Sequence, residues 1–315
     1  MRVEIRIGDC RDLLRAMPDE SVHCAVTSPP YFGLRDYGVA GQIGLESTPD
    51  AFVAEMVAVF GEVRRVLRGD GTLWLNLGDS YNAAGRKGHG SRVGFKQGTN
   101  RASAGGADHV RASSDTLKEK DLLMIPARVA LALQADGWFL RSEIIWHKPN
   151  PMPESVTDRP TSAHEKIFLL AKNARYFYDA DAVKEPAIHA GRIVKATGSG
   201  AKNLNTGNRT AAGFSDHDTL VTDRNLRNVW TIASRPFKGA HFATFPPALI
   251  EPCIKAGSRL GDTILDPFGG SGTTGLVSQR LGRSAILIEL NPAYAAMAQR
   301  RIDEDAGMFA DTRVA

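Results

Sequence analysis

Apolar and charged residues alternate through "RVEIRIGD" near the start of the chain, the period of a half-exposed strand. "CRDLLRAMP" then changes to helical spacing and stops at a proline. The short apolar run "VHCAVTSPPY" predicts a second strand that ends in a turn. In "TPDAFVAEMVAVFGEVRRVLRGDG", Phe52, Met56, Val59, Phe60, Val63 and Leu67 share one helical face, and Gly-Asp-Gly is expected to close that helix. "TLWLNLGDSY" reads as strand followed by loop. An alternation of strand and helix predicts parallel pairing in an α/β sheet.

Between Asn82 and Lys120 seven glycines interrupt any period, and a mobile loop is expected there. Order resumes with the helical "DLLMIPARVALALQADGW" and the strands "FLRSEIIWHKPN" and "EKIFLLAK". The Gly/Asn/Thr-rich stretch 186–228 breaks the pattern again. From Pro246 the chain predicts a helix "PPALIEPCIKAG", a strand "TILDPF", a glycine-rich turn, a helix "TTGLVSQRLG", a strand "SAILIEL" and a helix "NPAYAAMAQRRIDED". Few residues follow, so the remaining strands of the sheet are expected earlier in the chain.

Charge adds something that periodicity does not show. The net charge is only +4, yet residues 82–120 hold eight Lys/Arg against three Asp/Glu, and residues 186–228 six against three. Two basic, glycine-rich excursions on a mildly acidic body suit contact with a polyanion. The length of 315 residues allows one large core with an insert. No 18-residue apolar run and no secretory signal is present at "MRVEIRIGDC", so a cytoplasmic protein without membrane contact is expected. Cys10, Cys24 and Cys253 have no CxxC spacing, which points to neither a disulfide framework nor a zinc site.

Candidate chemistry gathers at two turns. In "LDPFGGSGTTG", Gly270, Gly272 and Gly275 match G-x-G-x-x-G between a strand and a helix, and Glu289 ends the next strand. Such a turn admits close backbone approach while the acid takes ribose hydroxyls, which would also serve a dinucleotide-dependent oxidoreductase. Asp266, however, stands just before the glycines, where a pyrophosphate would be repelled. An ammonium group would be attracted there, and S-adenosylmethionine carries an ammonium, a sulfonium and a ribose diol. The other turn is "TSPPYFG", in which two prolines fix the backbone beside a hydroxyl and an aromatic ring.

With "TSPPY" upstream and "DPFGGSGTT" downstream, the chain resembles the DNA amino-methyltransferases of the permuted class called β. The likeness extends to "GDCRDLL", "LNLGDSY", "IIWHKPNPMPESVTDRPTSAHEKIFLLAK" and "HFATFPPALIEPCIKAG", in one order along most of the chain. It implies a Rossmann-like methyltransferase fold: a seven-stranded, mostly parallel sheet with a reversed final strand, helices on both faces, and a small target-recognition insert. The catalytic half would be residues 1–185, the target-recognition region 186–228 and the cofactor half 229–315. By that resemblance Asp266, Phe268, Gly270 and Gly272 hold the methionine end of S-adenosylmethionine and Glu289 the ribose hydroxyls. Asp9 takes the adenine amino group, Cys10 and Thr273 stand on the same wall, and His241, Phe242 and Phe245 line the amino-acid side.

The resemblance also makes Ser28, Pro29, Pro30 and Tyr31 the catalytic turn. An exocyclic amine is a poor nucleophile because its lone pair is conjugated into the base. The Ser28 hydroxyl and the Pro29 carbonyl would each accept one of its N–H groups, and the prolines hold both acceptors in place beforehand. Tyr31 would stack on a base flipped from the duplex. Ser-Pro-Pro-Tyr accompanies cytosine N4 methylation in this family and Asp-Pro-Pro-Tyr adenine N6 methylation, so cytosine is expected and adenine is the alternative. Pro252-Cys253 resembles the nucleophile of carbon-5 enzymes but lies in an expected helix, where Cys253 reads as a packed residue. Double-stranded DNA is the expected partner, held at its phosphates by Arg86, Lys87, Arg92, Lys96, Arg101, Arg192, Lys195, Lys202 and Arg209. The setting is a bacterial or phage one, either a restriction-modification system with a nuclease acting on the same site or an orphan enzyme, as monomer or homodimer.

Overall fold

The computed structural model of the chain describes residues 1–82, 117–188, 222–234, 245–307 and 311–315 in full, and the backbone alone at 108–109, 192–194 and 219–221. The elements in chain order are β1 (Val3–Ile7), α1 (Cys10–Arg15), β2 (Val22–Thr27), β3 (Arg35–Asp36), α2 (Pro49–Val66), β4 (Leu67–Leu77), β5 (Asp108–His109), α3 (Ile125–Ala135), β6 (Phe139–His147) and β7 (His164–Ala171). They continue with β8 (Glu185–Pro186), β9 (Arg192–Val194), β10 (Thr219–Val221), β11 (Asp223–Arg224), β12 (Val229–Thr231), α4 (Pro247–Gly257), β13 (Thr263–Asp266), α5 (Thr273–Arg280), β14 (Ser284–Glu289), α6 (Pro292–Ala306) and β15 (Thr312–Val314).

The helix starts follow from local chemistry. Asp9 caps α1 by accepting from the Arg11 N–H, Thr48 caps α2 through the Ala51 N–H with Pro49 in its first turn, and Asn291 caps α6 through the Ala293 N–H. Phe52, Met56, Val59, Phe60 and Val63 bury the inner face of α2 as their spacing predicts. Leu67 does not belong to that face. The helix ends at Val66, Leu67 adopts extended backbone, and β4 runs from it through Gly-Asp-Gly to Leu77. Those glycines therefore sit inside a strand, at a register irregularity between Val22 and Cys24 of β2, rather than closing the helix. The carbonyls of Gly69, Asp70 and Gly71 stay satisfied there by Asn173, Phe177 and Lys172.

Among the described residues nine strands form the main sheet, in the order β12-β6-β7-β4-β2-β13-β14-β1-β15. The expected count of seven is corrected by two three-residue edge strands, β12 and β15, too short to show a period in the sequence. Every neighbouring pair is parallel except those of β7, which runs against both β4 and β6. One face carries α1, α2 and α3 over a core that includes Leu14, Phe52, Phe60, Leu73, Leu75, Val129 and Leu133. On the other, α4, α5 and α6 pack through Leu249, Ile254, Leu276, Ala298 and Ile302. No helix among the described residues is long and apolar enough to cross a membrane.

Strand order reverses at the central pair. From β2 the chain moves through α2 to β4, and from β13 it moves through α5 to β14 in the opposite direction across the sheet. Ligands of open α/β sheets bind outside the carboxyl ends of strands at such a switch point. The Ser28 turn leaves β2 there and the glycine turn leaves β13 beside it, with Leu265 of β13 in register with Ala25 of β2.

Residues Ala180–Arg227 form a second compact unit. Its described part holds two antiparallel ladders, β9 with β10 and β8 with β11, and Glu185 accepts from both Arg224 and Arg227.

Candidate active site

A cleft of about 1100 Å³ opens at the switch point and is walled by both turns. Ser28, Pro29, Pro30 and Tyr31 line it together with Asp9, Cys10, Phe245, Asp266, Phe268, Gly270, Thr273 and Glu289. Two segments more than 200 residues apart in the chain thus meet at one site, joined by a buried bond of 2.6 Å from Thr27 Oγ1 to Asp266 Oδ1.

Asp266 is 1% exposed and engaged on both oxygens. Besides Thr27, the Phe268 N–H donates to Oδ1 at 3.0 Å and Thr274 Oγ1 to Oδ2 at 2.6 Å. Burial disfavours its charge and lifts the carboxyl to about 6, against the opposing pull of those donors. Asp266 thus ties the end of β2 to the start of α5, a role that a reading of it as a free carboxylate at a strand tip does not contain.

The next carboxylate is used similarly. Glu289 Oε2 accepts from the Gly270 N–H and Oε1 from the Asn291 N–H, each at 2.8 Å, which clamps the glycine turn to the end of β14. Burial raises its carboxyl above the usual range. Half-buried, it still faces the cleft between Ile288 and Leu290. Asp9 accepts from the Arg11 N–H and guanidinium, and that hydrogen bonding holds its carboxyl below the usual range despite partial burial.

Gly272 is absent from the cleft wall. It caps α5 at φ +75°, and a Cβ there would lie 2.8 Å from Cβ of Ala298, so it serves the packing of α5 on α6. His241 and Phe242 lie outside the described residues, as do Arg86, Lys87, Arg92, Lys96, Arg101, Lys195, Lys202 and Arg209. Arg192 falls on β9, where only the backbone is described. Cys253 is buried within α4, its thiol pushed up by burial, away from the cleft.

At the other end of the cleft the Tyr31 phenol meets groups that motif reading left without a role. Tyr31 Oη lies 2.7 Å from Glu165 Oε2, 3.2 Å from Asn76 Oδ1 and 3.4 Å from Ser28 Oγ. Glu165 pairs with Lys148. Gly78, just past β4, leaves room for the ring: a Cβ there would fall 2.5 Å from Tyr31 Cε2. These residues stand within "LNLGDSY", "WHKPNP" and "HEKIF", but neither polarity nor spacing shows that Asn76 and Glu165 meet at one tyrosine with Lys148 paired behind them.

The wall also bears on which ligand fits. Its charged residues are Asp9, Asp266 and Glu289 against Arg35, and Phe245, Phe268, Ile288, Leu290 and Tyr294 add apolar surface. An acidic, partly apolar cleft suits an adenosine carrying a sulfonium and an ammonium better than one carrying a pyrophosphate.

The chain matches the DNA methylase family of N6/N4 type over residues 22–300. It is 48% identical over 296 residues to the type II methyltransferase M.XycI of Xanthomonas campestris pv. cyanopsidis, covering 94% of this chain and 86% of that one. The type II methyltransferase M.SmaI of Serratia marcescens is 44% identical over 299 residues, with 95% and 90% covered. Among solved structures, a putative DNA modification methylase of Thermus thermophilus, complexed with S-adenosyl-L-methionine, superposes with a TM-score of 0.61 at 26% identity, covering 99% of this chain and 97% of that one. The PvuII DNA methyltransferase (cytosine-N4-specific) shares the fold with a TM-score of 0.62 at 19% identity, covering 100% and 95%.

Proposed function

Because the chain belongs to the N6/N4 DNA methylase family, whose members are S-adenosylmethionine-dependent DNA amino-methyltransferases, we propose that it methylates the N4 amine of cytosine in duplex DNA. The observation that carries the choice of base is Ser28 itself, a neutral hydroxyl in the Ser-Pro-Pro-Tyr turn on the wall of the cofactor cleft. S-adenosylmethionine supplies an electrophilic methyl group. The chain supplies geometry: Ser28 Oγ and the Pro29 carbonyl each accept an N–H of the amine, drawing its nitrogen toward tetrahedral shape. Pro29 and Pro30 hold these acceptors before the base arrives, so little reorganisation remains. The Tyr31 ring faces the flipped base.

For the cofactor, Glu289 takes the ribose hydroxyls and Asp9 with Cys10 borders the adenine. Phe268, Gly270, Thr273 and Phe245 shape the methionine side, and Asp266 holds that wall from behind. Target recognition falls to residues 186–228, and phosphate contact to the basic side chains there and in residues 82–120. A restriction-modification setting agrees with the type II relatives.

Incubation of the purified protein with duplex DNA and labelled S-adenosylmethionine, followed by nucleoside mass analysis, tests the assignment. N4-methylcytosine is the expected product; N6-methyladenine would overturn the choice of base. DNA binding is expected to weaken steeply with added salt, and a flat response would remove the two basic segments as phosphate contacts.

A further inference from the structure

Tyr31 joins the Ser28 turn to a carboxylate on the reversed strand. Because β7 runs against its neighbours, its first residues lie at the sheet edge where β2 and β4 end, which brings Glu165 to the phenol. A phenol has one proton to give. Two acceptors stand near it, Glu165 Oε2 at 2.7 Å and Asn76 Oδ1 at 3.2 Å. The shorter, charge-assisted bond is about twice as strong as a neutral one, so the phenol keeps its proton and donates it in a hydrogen bond to Glu165. Asn76 is committed elsewhere through its amide, donating to Glu165 Oε2 and to the Lys166 carbonyl at 3.2 Å each.

The direction of the remaining bond follows. Tyr31 Oη, with its proton turned to Glu165, offers Ser28 only lone pairs, so across the 3.4 Å separation Ser28 must be the donor. Its own lone pairs then face the cleft. Burial and the neighbouring Glu165 charge keep the phenol well above the ordinary tyrosine range, so this arrangement persists at neutral pH. Lys148 anchors the far end: its ammonium pairs with Glu165 Oε1 and lies 4.3 Å from the centre of the Trp146 ring.

We propose that Glu165, anchored by Lys148, is a positioning residue that sets the polarity of the Glu165–Tyr31–Ser28 chain, so that Ser28 presents an acceptor to the target amine. The inference rests on the reading of Ser28 given above. A serine free to rotate could aim its proton at the amine nitrogen and tie up the lone pair that must attack; the Glu165 charge, relayed through one phenol, prevents this. No proton leaves Glu165 or reaches it.

The full chain with Glu165→Gln, Lys148→Met, Tyr31→Phe and the Glu165→Gln/Tyr31→Phe pair tests this, with single-turnover methyl transfer to duplex DNA as the rate and a thermal shift with S-adenosylhomocysteine as the check on folding and cofactor binding. Glu165→Gln is expected to slow transfer about a hundredfold, the scale of a misplaced reacting group, with the cofactor KM and the thermal shift unchanged. The double variant is expected to be no slower than Tyr31→Phe alone, because the chain is already cut. Wild-type transfer in Glu165→Gln, or losses that multiply in the double variant, would overturn the proposal. Should Glu165→Gln not fold, Lys148→Met decides: slower transfer supports the proposal and wild-type transfer sinks it. Mass analysis of the wild-type product reports the base separately, so an adenine product would remove the cytosine assignment and leave these ratios to be read.

Discussion

The cofactor wall and the Ser28 turn sit on adjacent parallel strands, and they are held rigid in different ways. Beyond β13 and β14 the wall is backbone: the N–H groups of Phe268, Gly270 and Asn291 and two threonine hydroxyls donate to the carboxylates of buried Asp266 and half-buried Glu289. Beyond β2 the turn is held by two prolines and by Asn76 of β4 and Glu165 of β7, which meet Tyr31, with Lys148 just past β6 paired to Glu165. The first arrangement is almost entirely local, closing within the segment 266–291 apart from the tie to Thr27. The second depends on residues up to 134 positions away in the chain. Disturbing the first should therefore show in stability and cofactor affinity, and disturbing the second in rate.

Ser28→Ala should separate the two most widely. On the proposed mechanism it removes one acceptor from the reacting amine and leaves the carboxylate-bound wall unaltered, so single-turnover methyl transfer should fall about 10²–10³-fold while calorimetry with S-adenosylhomocysteine stays at the wild-type value. Equal losses in both would mean that the two walls are not independent.

Asp266 gives the cofactor wall a pH signature. Its folded carboxyl titrates at about 6, above the ordinary 3.8, so between those values the folded protein holds more protons than the unfolded chain. Stability therefore declines as pH rises through this window and is level above it. Relative to Asp266→Asn, the wild type should gain about 1–1.5 kcal/mol between pH 7 and pH 5 and about 2 kcal/mol by pH 4. Denaturant titrations of both proteins at each pH provide the comparison, and a pH-independent difference would contradict the shift.

Gly272→Ala tests the packing behind the same wall. The added Cβ meets Ala298 at 2.8 Å in a left-handed backbone region, and a loss of about 2 kcal/mol in stability is expected, with the rate at saturating cofactor retained. Glu289→Gln should have the smallest effect. One of its two accepting oxygens becomes a donor that faces an N–H, so cofactor affinity should fall about tenfold while transfer at saturation is unchanged. A large loss in rate there would blur the division between the walls.

Much of this was legible in the residue pattern. The period of "RVEIRIGD" and the face Phe52 to Val63 predict the elements that form, and Gly270 and Glu289, marked out by the family resemblance of their turn rather than by its glycine spacing alone, line the cleft. Errors arose where local signals have two meanings. Gly-Asp-Gly reads as a helix stop yet lies in β4, because Leu67 and Thr72 on either side of it pair with β2 and its carbonyls accept from Asn173, Phe177 and Lys172. Asp266 reads as a charge offered to a ligand; it does line the cleft, but its hydrogen bonds to Thr27, Phe268 and Thr274 add a bracing role that the sequence does not show.

Periodicity, caps and turn residues act over a few positions, so the chain alone determined where most strands and helices start, which of their ends bear the motif residues, and that those motifs mark one family of enzymes. Which strand ends become neighbours depends on pairing across the whole sheet. That is why only the tertiary structure decided that β2 lies beside β13, that β7 runs backward, and that Glu165, paired with Lys148, reaches Tyr31.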